Sequence, residues 1–505
     1  MFTPVGRSFS RSGNTGRFKV AALYRWWEHS QKYLLALVFA LFGGVVIAKL
    51  GIAGAPLLLG LPLFGGYVFF FFKYPKLGLY SALFLSFWLA TLNRYLSGPI
   101  PYGLGIDLLL FITFLVLILK KWKKLDMSPS YNDVVLLMFV WMVYVVLELA
   151  NPLASSFLAW FYSMRGVALY QLLCFGLAFT LLNTRKDFYR FLNLWLILSV
   201  IGVFWAIKQS FLGLDSFEET WLYAGAYETH LLFGKPRHFS YYFDAGTYGA
   251  SMGHTTILAG ILFLGPFSLQ RRILYLLVAL LSFYGLMLSG TRGALTVPGI
   301  GGILFLIMTK NTRLLIIGGS ILLAGFVFLK YTTIAQSKYD VQRLRSALDP
   351  DDPSLQVRLQ NRAALSNYLR DKPFDTGLGT AGYWGKRFSP NTWMANFETD
   401  GLYTRIRAET GRVGHTLFVW MWIYILIRGV LIVWKLKNEE RRYLAMAVLA
   451  GYAGILVANY GNSVMSQFPI TLTTFISIAF VFSMQYWDDE SNYRLPAEKK
   501  KKLLK

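Results

Sequence analysis

Residues 271–330 read RRILYLLVALLSFYGLMLSGTRGALTVPGIGGILFLIMTKNTRLLIIGGSILLAGFVFLK. Three apolar runs follow one another here, at 271–289, 293–309 and 312–330. Charges are confined to the ends of the runs. Each run can cross about 30 Å of hydrocarbon as a helix rising about 1.5 Å per residue. Only a helix satisfies its own backbone in lipid without neighbouring strands. Three such runs joined by short basic turns predict consecutive transmembrane helices.

The pattern extends in both directions. Towards the N-terminus it predicts spans at 33–51, 56–73, 77–95, 105–121, 133–150, 157–183, 189–212 and 246–266. Towards the C-terminus it predicts 414–434, 442–461 and 465–486. The total is about fourteen spans. The fold class read from this is all-α: a polytopic transmembrane helical bundle with a large, partly helical outer loop. The expected organisation is a basic arm at 1–32, a first helix group at 33–212 and an outer loop at 213–245. A second helix group follows at 246–330, then a large outer loop at 331–413, C-terminal helices at 414–486 and a basic tail at 487–505. The first apolar run lacks a small-residue cleavage site and reads as a retained helix, not a signal peptide.

Composition agrees. The 505 residues are 55% hydrophobic and 15% charged, with mean hydropathy +0.46. Soluble domains carry about 25% charged residues, so these values argue against a soluble enzyme. The single cysteine, Cys174, excludes an intramolecular disulfide and a Cys-based zinc site. Lys and Arg number 50 against 26 Asp and Glu, for a net charge of +24. With the N-terminus in the cytoplasm, most of this surplus falls on inner segments. Examples are Lys120, Lys121, Lys123 and Lys124, then Arg271 and Arg272, and the terminal KKKKLLK. Short outer loops hold only Arg94, Lys235, Arg237 and Arg292. This is the positive-inside pattern, and it places both termini in the cytoplasm. The surplus then sets orientation and gives no reason to invoke nucleic acid. The tail reads as an anchor near anionic lipid.

A charge near the middle of a span costs about 2.5–3.5 kcal/mol on insertion scales, so such residues are the best pointers to a site. Arg165 lies inside 157–183, and Glu148 at the end of the preceding span could pair with it. The alternative is that Arg165 faces an outward polar cavity. Lys208 reads as a side chain snorkelling to the surface. The segment GKPRHFSYYFDAGTYGAS brings Arg237, His238 and Asp244 to the outer boundary, and the turn LSGTRGALT puts Arg292 on the same side. Two arginines converging from different connections suit a phosphate or diphosphate, because guanidinium forks match phosphate oxygens. The bland reading of Arg292 is a turn residue facing water.

The large outer loop contains Asp352-Pro353, an N-cap followed by proline at the first helical position. Next come SLQVRLQNRAALSNYLRDK, at near-helical spacing, and the glycine-rich DTGLGTAGYWG. The acidic cluster Asp349, Asp351 and Asp352 reads as turn composition. The loop leaves through NFETDGLYTRIRAETGRVG. Asp400 and Glu409 are candidates to accept a proton or orient a hydroxyl. Their alternatives are an N-cap for Asp400 and a helix-entry ion pair for Glu409. No metal spacing such as HExxH appears, and no phosphate-binding GxxxxGK[ST] loop. The site is expected to hold no metal and no cofactor.

In this order, RHFSYYFDAGTYGAS, SGTRGALT, RLQNRAALSNYLRDKPFDTGLGT and DGLYTRIRAETGRVG resemble the motifs of the bacterial O-antigen ligase/O-antigen polymerase superfamily. These are integral membrane glycosyltransferases of the GT-C type. The motifs cover about 237–414; the earlier spans match only as hydrophobic helices. The resemblance implies transfer of a glycan from a polyprenyl (undecaprenyl) diphosphate carrier to an acceptor sugar hydroxyl. The expected location is the periplasmic face of the inner membrane. The reaction would invert the anomeric centre and use neither nucleotide sugar nor an essential metal. The partners implied are the lipid-linked donor, a glycan or lipid-linked acceptor and the bilayer.

By position, Arg237 and Arg292 would bind the diphosphate, with Arg165 and His238 behind them. Arg292 would also stabilise the leaving group. Asp400 or Glu409 would serve the acceptor. One departure stands out: the family's His at the start of the exit motif is Asp400 here, and the expected Asn is Gly401. An Asp is a weaker base, which tilts the reading from ligase toward repeat-unit polymerase. The competing classes are a lipid-linked oligosaccharide flippase and an envelope scaffold. A flippase would need repeats and polar groups through the membrane depth. A scaffold would not need arginines at membrane boundaries.

Overall fold

In the computed structural model, the described residues are 55–487 together with Tyr33, Leu37, Gly44 and Ala48. Within 55–487 the exceptions are 97–101, 122–131, 155, 233, 335, 337–338, 347–348, 350, 352, 371 and 373–375. The arm 1–32, nearly all of span 33–51, Asp352 and the tail beyond Trp487 lie outside the described residues. The chain divides into two compact units, Met1–Tyr74 and Pro75–Lys505. The first contributes helix α1 (Ala55–Lys73).

The second unit is an all-α bundle. Its long helices are α2 (Lys76–Tyr95), α3 (Gly103–Lys121), α4 (Asp133–Leu147), α5 (Phe157–Leu181) and α6 (Arg185–Phe211). They continue with α7 (Ala245–Leu264), α8 (Leu269–Leu288), α9 (Thr296–Thr309) and α10 (Thr312–Tyr331). The last three are α11 (Leu402–Lys435), α12 (Glu439–Ala458) and α13 (Ile470–Met484). Every expected span from 56–73 onward coincides with one of these helices. Among the described residues, eight helices are long and apolar enough to cross a membrane, and α13 is a shorter apolar helix. Helices α2 and α7 match their expected spans but are not among the eight, because polar residues such as Asn93, Thr247, Ser251 and His254 interrupt them. The sole strand pairing among the described residues is Leu231–Leu232 with Lys235–Pro236, antiparallel.

Helices α12 and α13 are buried along most of their length. For α12, glycines on it and on α9 admit the neighbouring backbone. A Cβ on Gly454 would stand 2.3 Å from Val297 O, and one on Gly301 would stand 2.7 Å from Ala450 O. Close approach through small residues is how helices associate where lipid offers no hydrophobic drive. Helix α10, rich in Leu and Ile, has no buried residue.

Two helices are irregular at informative places. Helix α5 contains a π-turn at Arg165–Leu169. Its Arg165 pairs with Asp107 of α3 and lies 4.9 Å from the Tyr162 ring. The expected Glu148 pairing is therefore corrected: the Glu148 carboxylate instead accepts from Asn151 Nδ2 at 3.0 Å. Helix α11 is broken at Gly411, whose φ is 74°. Lys208 does not simply snorkel, because its ammonium bonds Asp215 at 2.9 Å and Glu218 at 2.8 Å.

The large loop has its own helices at Tyr339–Ser346, Pro353–Tyr368 and Gly382–Phe388. Leu365, Leu369, Met394 and Phe397 form a small core beneath them. Its glycine-rich turn docks on the start of α5. Gly377 and Gly379 have φ of 87° and 86°, and a Cβ on Gly379 would lie 2.4 Å from Ala159 O. Glycine is needed there for both conformation and space.

Candidate functional site: an arginine-rimmed cavity

The site is built on the short connections at the ends of α7, α8 and α12. The strand pairing at 231–236 turns at Gly234, with φ 73°, and delivers Arg237, whose N–H donates to His230 O at 2.8 Å. The Arg237 guanidinium donates to Thr229 O at 2.9 Å and to Thr291 Oγ1 at 2.6 Å. Thr291 Oγ1 in turn donates to Ala245 O at 2.8 Å. Ser289 Oγ accepts the Thr291 N–H at 3.1 Å. Ser289 and Thr291 thus fix the turn that presents Arg292, at the start of the 3-10 segment Arg292–Leu295. Arg292 Nη1 donates to Ser346 Oγ of the large loop at 2.8 Å.

Beneath this turn, the peptide 240–243 is clamped by Arg94, which is 7% exposed. Its guanidinium donates to the carbonyls of Ser240 and Phe243 at 3.2 Å each, and to that of Tyr242. It packs against the neighbouring Trp221 and Phe239 rings, 4.2 and 4.4 Å from their centroids. His230 is also pinned. Its Nε2 accepts the Ala245 N–H at 3.1 Å, and its Nδ1 lies 3.0 Å from Ala226 O. A ring nitrogen that accepts an amide N–H carries no proton, so Nδ1 holds it and donates to Ala226. Burial pushes the His230 pKa down to about 4.

Arg237 and Arg292 line one cavity of about 1370 Å³. Three further arginines join them: Arg358 and Arg362 from the loop helix and Arg407 from α11. The lining carboxylates are Glu228 and Asp349, and His415 lines the wall below Arg407. Further in, the walls are apolar. Ile300, Ile303, Leu304 and Ile307 of α9 face the cavity, as do Val419, Trp422, Ile423 and Leu426 of α11. Each set follows i, i+3, i+4, i+7 spacing, one helical stripe. A cavity with guanidinium groups at one end and two aliphatic stripes at the other suits an amphiphile with an anionic head and a long apolar tail.

The structure brings Arg237 and Arg292 together, holds Asp400 outside the lining but against the helix that carries Arg358 and Arg362, and leaves Arg165, His238 and Glu409 out of the lining. Arg165 is engaged with Asp107, away from the cavity lining. His238 is half-buried, its N–H donating to Leu288 O at 3.3 Å. Glu409 is fully buried. Its carboxylate accepts from Arg405 Nε at 3.3 Å and from the Ala381 N–H at 3.3 Å. It ties the glycine-rich turn to α11. Asp400 does not cap α11: the N-cap position is Gly401. Its carboxylate accepts from Asn361 Nδ2 at 3.1 Å, three residues before the lining residue Tyr403. The absence of Asn at 401 has a steric cause, since a Cβ there would stand 2.4 Å from Tyr460 O.

Arg358, Arg362, Arg407 and His415 were not singled out by the sequence reading. A signal was present for two of them. Arg358 and Arg362 stand four residues apart on an expected helix and so share a face.

Residues 277–419 match the O-antigen ligase family. The matched stretch runs from α8 to the Val419 stripe and includes Arg292, the large loop, Asp400 and Arg407. It supports the O-antigen ligase/polymerase superfamily for this chain. No curated protein matches the chain.

Proposed function

We propose that this membrane protein is a glycosyltransferase that moves a glycan from a polyprenyl diphosphate to an acceptor sugar hydroxyl on the periplasmic face. Its product is either a polymer of O-antigen or exopolysaccharide repeat units or a ligated O-antigen. The observation that carries this reading is the single cavity with an arginine rim and two apolar helical stripes. The stripes on α9 and α11 would hold the first isoprene units. Arg237 and Arg292, coupled through Thr291, would hold the diphosphate.

As the acceptor oxygen bonds to the anomeric carbon from the opposite side, the anomeric C–O bond breaks and its electron pair goes to the diphosphate. Fixed guanidinium groups stabilise charge that develops there without reorganising. The proton released by the acceptor hydroxyl is assigned to Asp400, held by Asn361 beside the rim. Glu409 and Arg165, engaged in internal ion pairs, are given structural roles.

The test is reconstitution of the full chain in liposomes with a polyprenyl-diphosphate oligosaccharide. Arg292→Ala and Arg237→Ala should each abolish transfer while the melting temperature stays near that of the parent. Normal transfer by both variants would overturn the assignment. Asp400→Asn should slow transfer strongly; unchanged turnover would remove Asp400 as the proton acceptor. A ladder of products identifies a polymerase, and a single addition identifies a ligase.

A further inference from the structure

We infer that the aqueous rim of the cavity carries a second anion-binding subsite. It is formed by Arg358 and Arg362 against Tyr460, and takes a carboxylate or phosphate group borne on a glycan. Only the word glycan rests on the transferase reading; the anion subsite stands on the geometry.

Three observations support it. First, the rim has more cations than one head group needs. Five arginines line the cavity against two carboxylates, Glu228 and Asp349. Arg237 and Arg292 sit side by side through Thr291 and account for one diphosphate. Second, Arg358 and Arg362 have no carboxylate within ion-pair distance among the described residues. Each gives one long hydrogen bond to the turn after α12. Arg358 Nη2 reaches Gly461 O and Arg362 Nη2 reaches Tyr460 O, both at 3.4 Å. A guanidinium has five N–H donors in a fork shaped for carboxylate or phosphate, so most of their donor capacity is available to a ligand. Third, the turn is shaped to hold the two groups. Arg362 lies 3.6 Å over the Tyr460 ring, which fixes its plane. Gly461 leaves the room Arg358 occupies, since a Cβ there would stand 3.2 Å from Arg358 Nη1.

Position separates this subsite from the donor head group. Arg237 and Arg292 belong to the connections of the helical bundle. Arg358 and Arg362 belong to a loop helix of polar composition, across Asn462 from Gly293, where a Cβ would lie 3.8 Å from Asn462 Nδ2. The apolar stripes lead away from the rim toward the bilayer. A group that meets Arg358 and Arg362 therefore comes from the water side, as a sugar chain does.

The test measures binding, not transfer, so it can succeed or fail independently of the proposed activity. The full-length protein is placed in phosphatidylcholine nanodiscs and titrated with oligogalacturonate, a phosphorylated malto-oligosaccharide and the neutral malto-oligosaccharide. At least one acidic probe should bind ten-fold or more tighter than the neutral one, with affinity falling as salt rises. The probe that binds distinguishes a carboxylate from a phosphate. The double variant Arg358→Gln/Arg362→Gln should erase the preference, and Arg358→Lys/Arg362→Lys should keep part of it. Arg292→Ala should leave it intact. Melting temperatures verify that each variant is folded. Equal binding of acidic and neutral probes would overturn the inference, as would an undiminished preference in the Gln variant. Loss of the preference in Arg292→Ala would assign the anion to the donor site instead. Repeating the titration in phosphatidylglycerol nanodiscs identifies competition by lipid head groups. Complete displacement of the glycan probes there would assign the subsite to lipid and overturn the glycan.

Discussion

Arg94 and Arg292 carry the same guanidinium, one on the carbonyls of 240–243 and the other on Ser346 of the large loop, and their surroundings differ completely. Arg94 is buried beneath 240–243, its donors spent on three carbonyls and its guanidinium packed against Trp221 and Phe239. Arg405 is similar in kind, locked to the fully buried Glu409 and to Ser163 Oγ at 2.7 Å. Arg292 and Arg358 are half-buried and line a cavity, Arg292 bonding Ser346 and Arg358 reaching Gly461 O. In a chain with few charges, the first group builds the scaffold and the second lines a cavity. Burial and partners, not residue type, separate them.

The sharpest way to break this distinction is Arg405→Ala, which leaves Glu409 buried without its cation. Such a loss costs about 3–5 kcal/mol and should appear as a large fall in melting temperature. Arg405→Met combined with Glu409→Gln should recover most of it. Arg94→Ala strands three carbonyls in a dry site and should cost about 2–4 kcal/mol, with any loss of transfer following the loss of fold.

Next in size is a pH effect at His230, beside Arg237. Its folded pKa, about 4, is below the unfolded value of about 6.5. The neutral ring therefore contributes its full stability above pH about 6.5, and this is lost as pH falls through about 4. The expected loss is about 3 kcal/mol, measured as melting temperature against pH. His230→Asn should flatten that part of the curve. Arg292→Ala should change stability by less than about 1 kcal/mol while transfer falls at least about 100-fold. Smallest of all, Arg358→Gln should leave stability within about 0.5 kcal/mol. A large fall in melting temperature for Arg292→Ala would place it with the scaffold arginines.

The bundle was legible because apolar run length is a local property; every described run became a helix, although α11 begins at Leu402, well before its expected start at 414. Arg237 and Arg292 were legible as cavity neighbours because each lies in an outer connection that holds few charges. Arg165 was misread for the opposite reason: its partner Asp107 is on α3, and one sequence does not show which helix faces the π-turn. Arg358 and Arg362 look like solvated charges until the loop helix folds back onto the turn at Tyr460. Glu409 was half legible, its spacing to Arg405 already suggesting an i, i+4 pair. Burial along a helix was not legible at all. Hydropathy ranks α10 above α12, yet α12 occupies the core, where glycine at 301 and 454 lets backbones approach and Gly451 leaves room for the His254 ring.

The break at Gly411 makes the 34-residue α11 a jointed rod. Its first part is fastened to the end of α12 and to the large loop: Leu402 N–H to Asn459 O at 3.0 Å, and Ala408 O to Thr376 Oγ1 at 2.9 Å. Its inner part packs in the bundle through Phe418, Trp422 and Ile425. When bilayer thickness changes, helices respond by tilting. A bend at Gly411 would absorb such tilt before it reaches Arg407, which lines the cavity. The arginine rim would then keep its geometry in membranes of different thickness, while the stripe Val419–Leu426 follows the lipid.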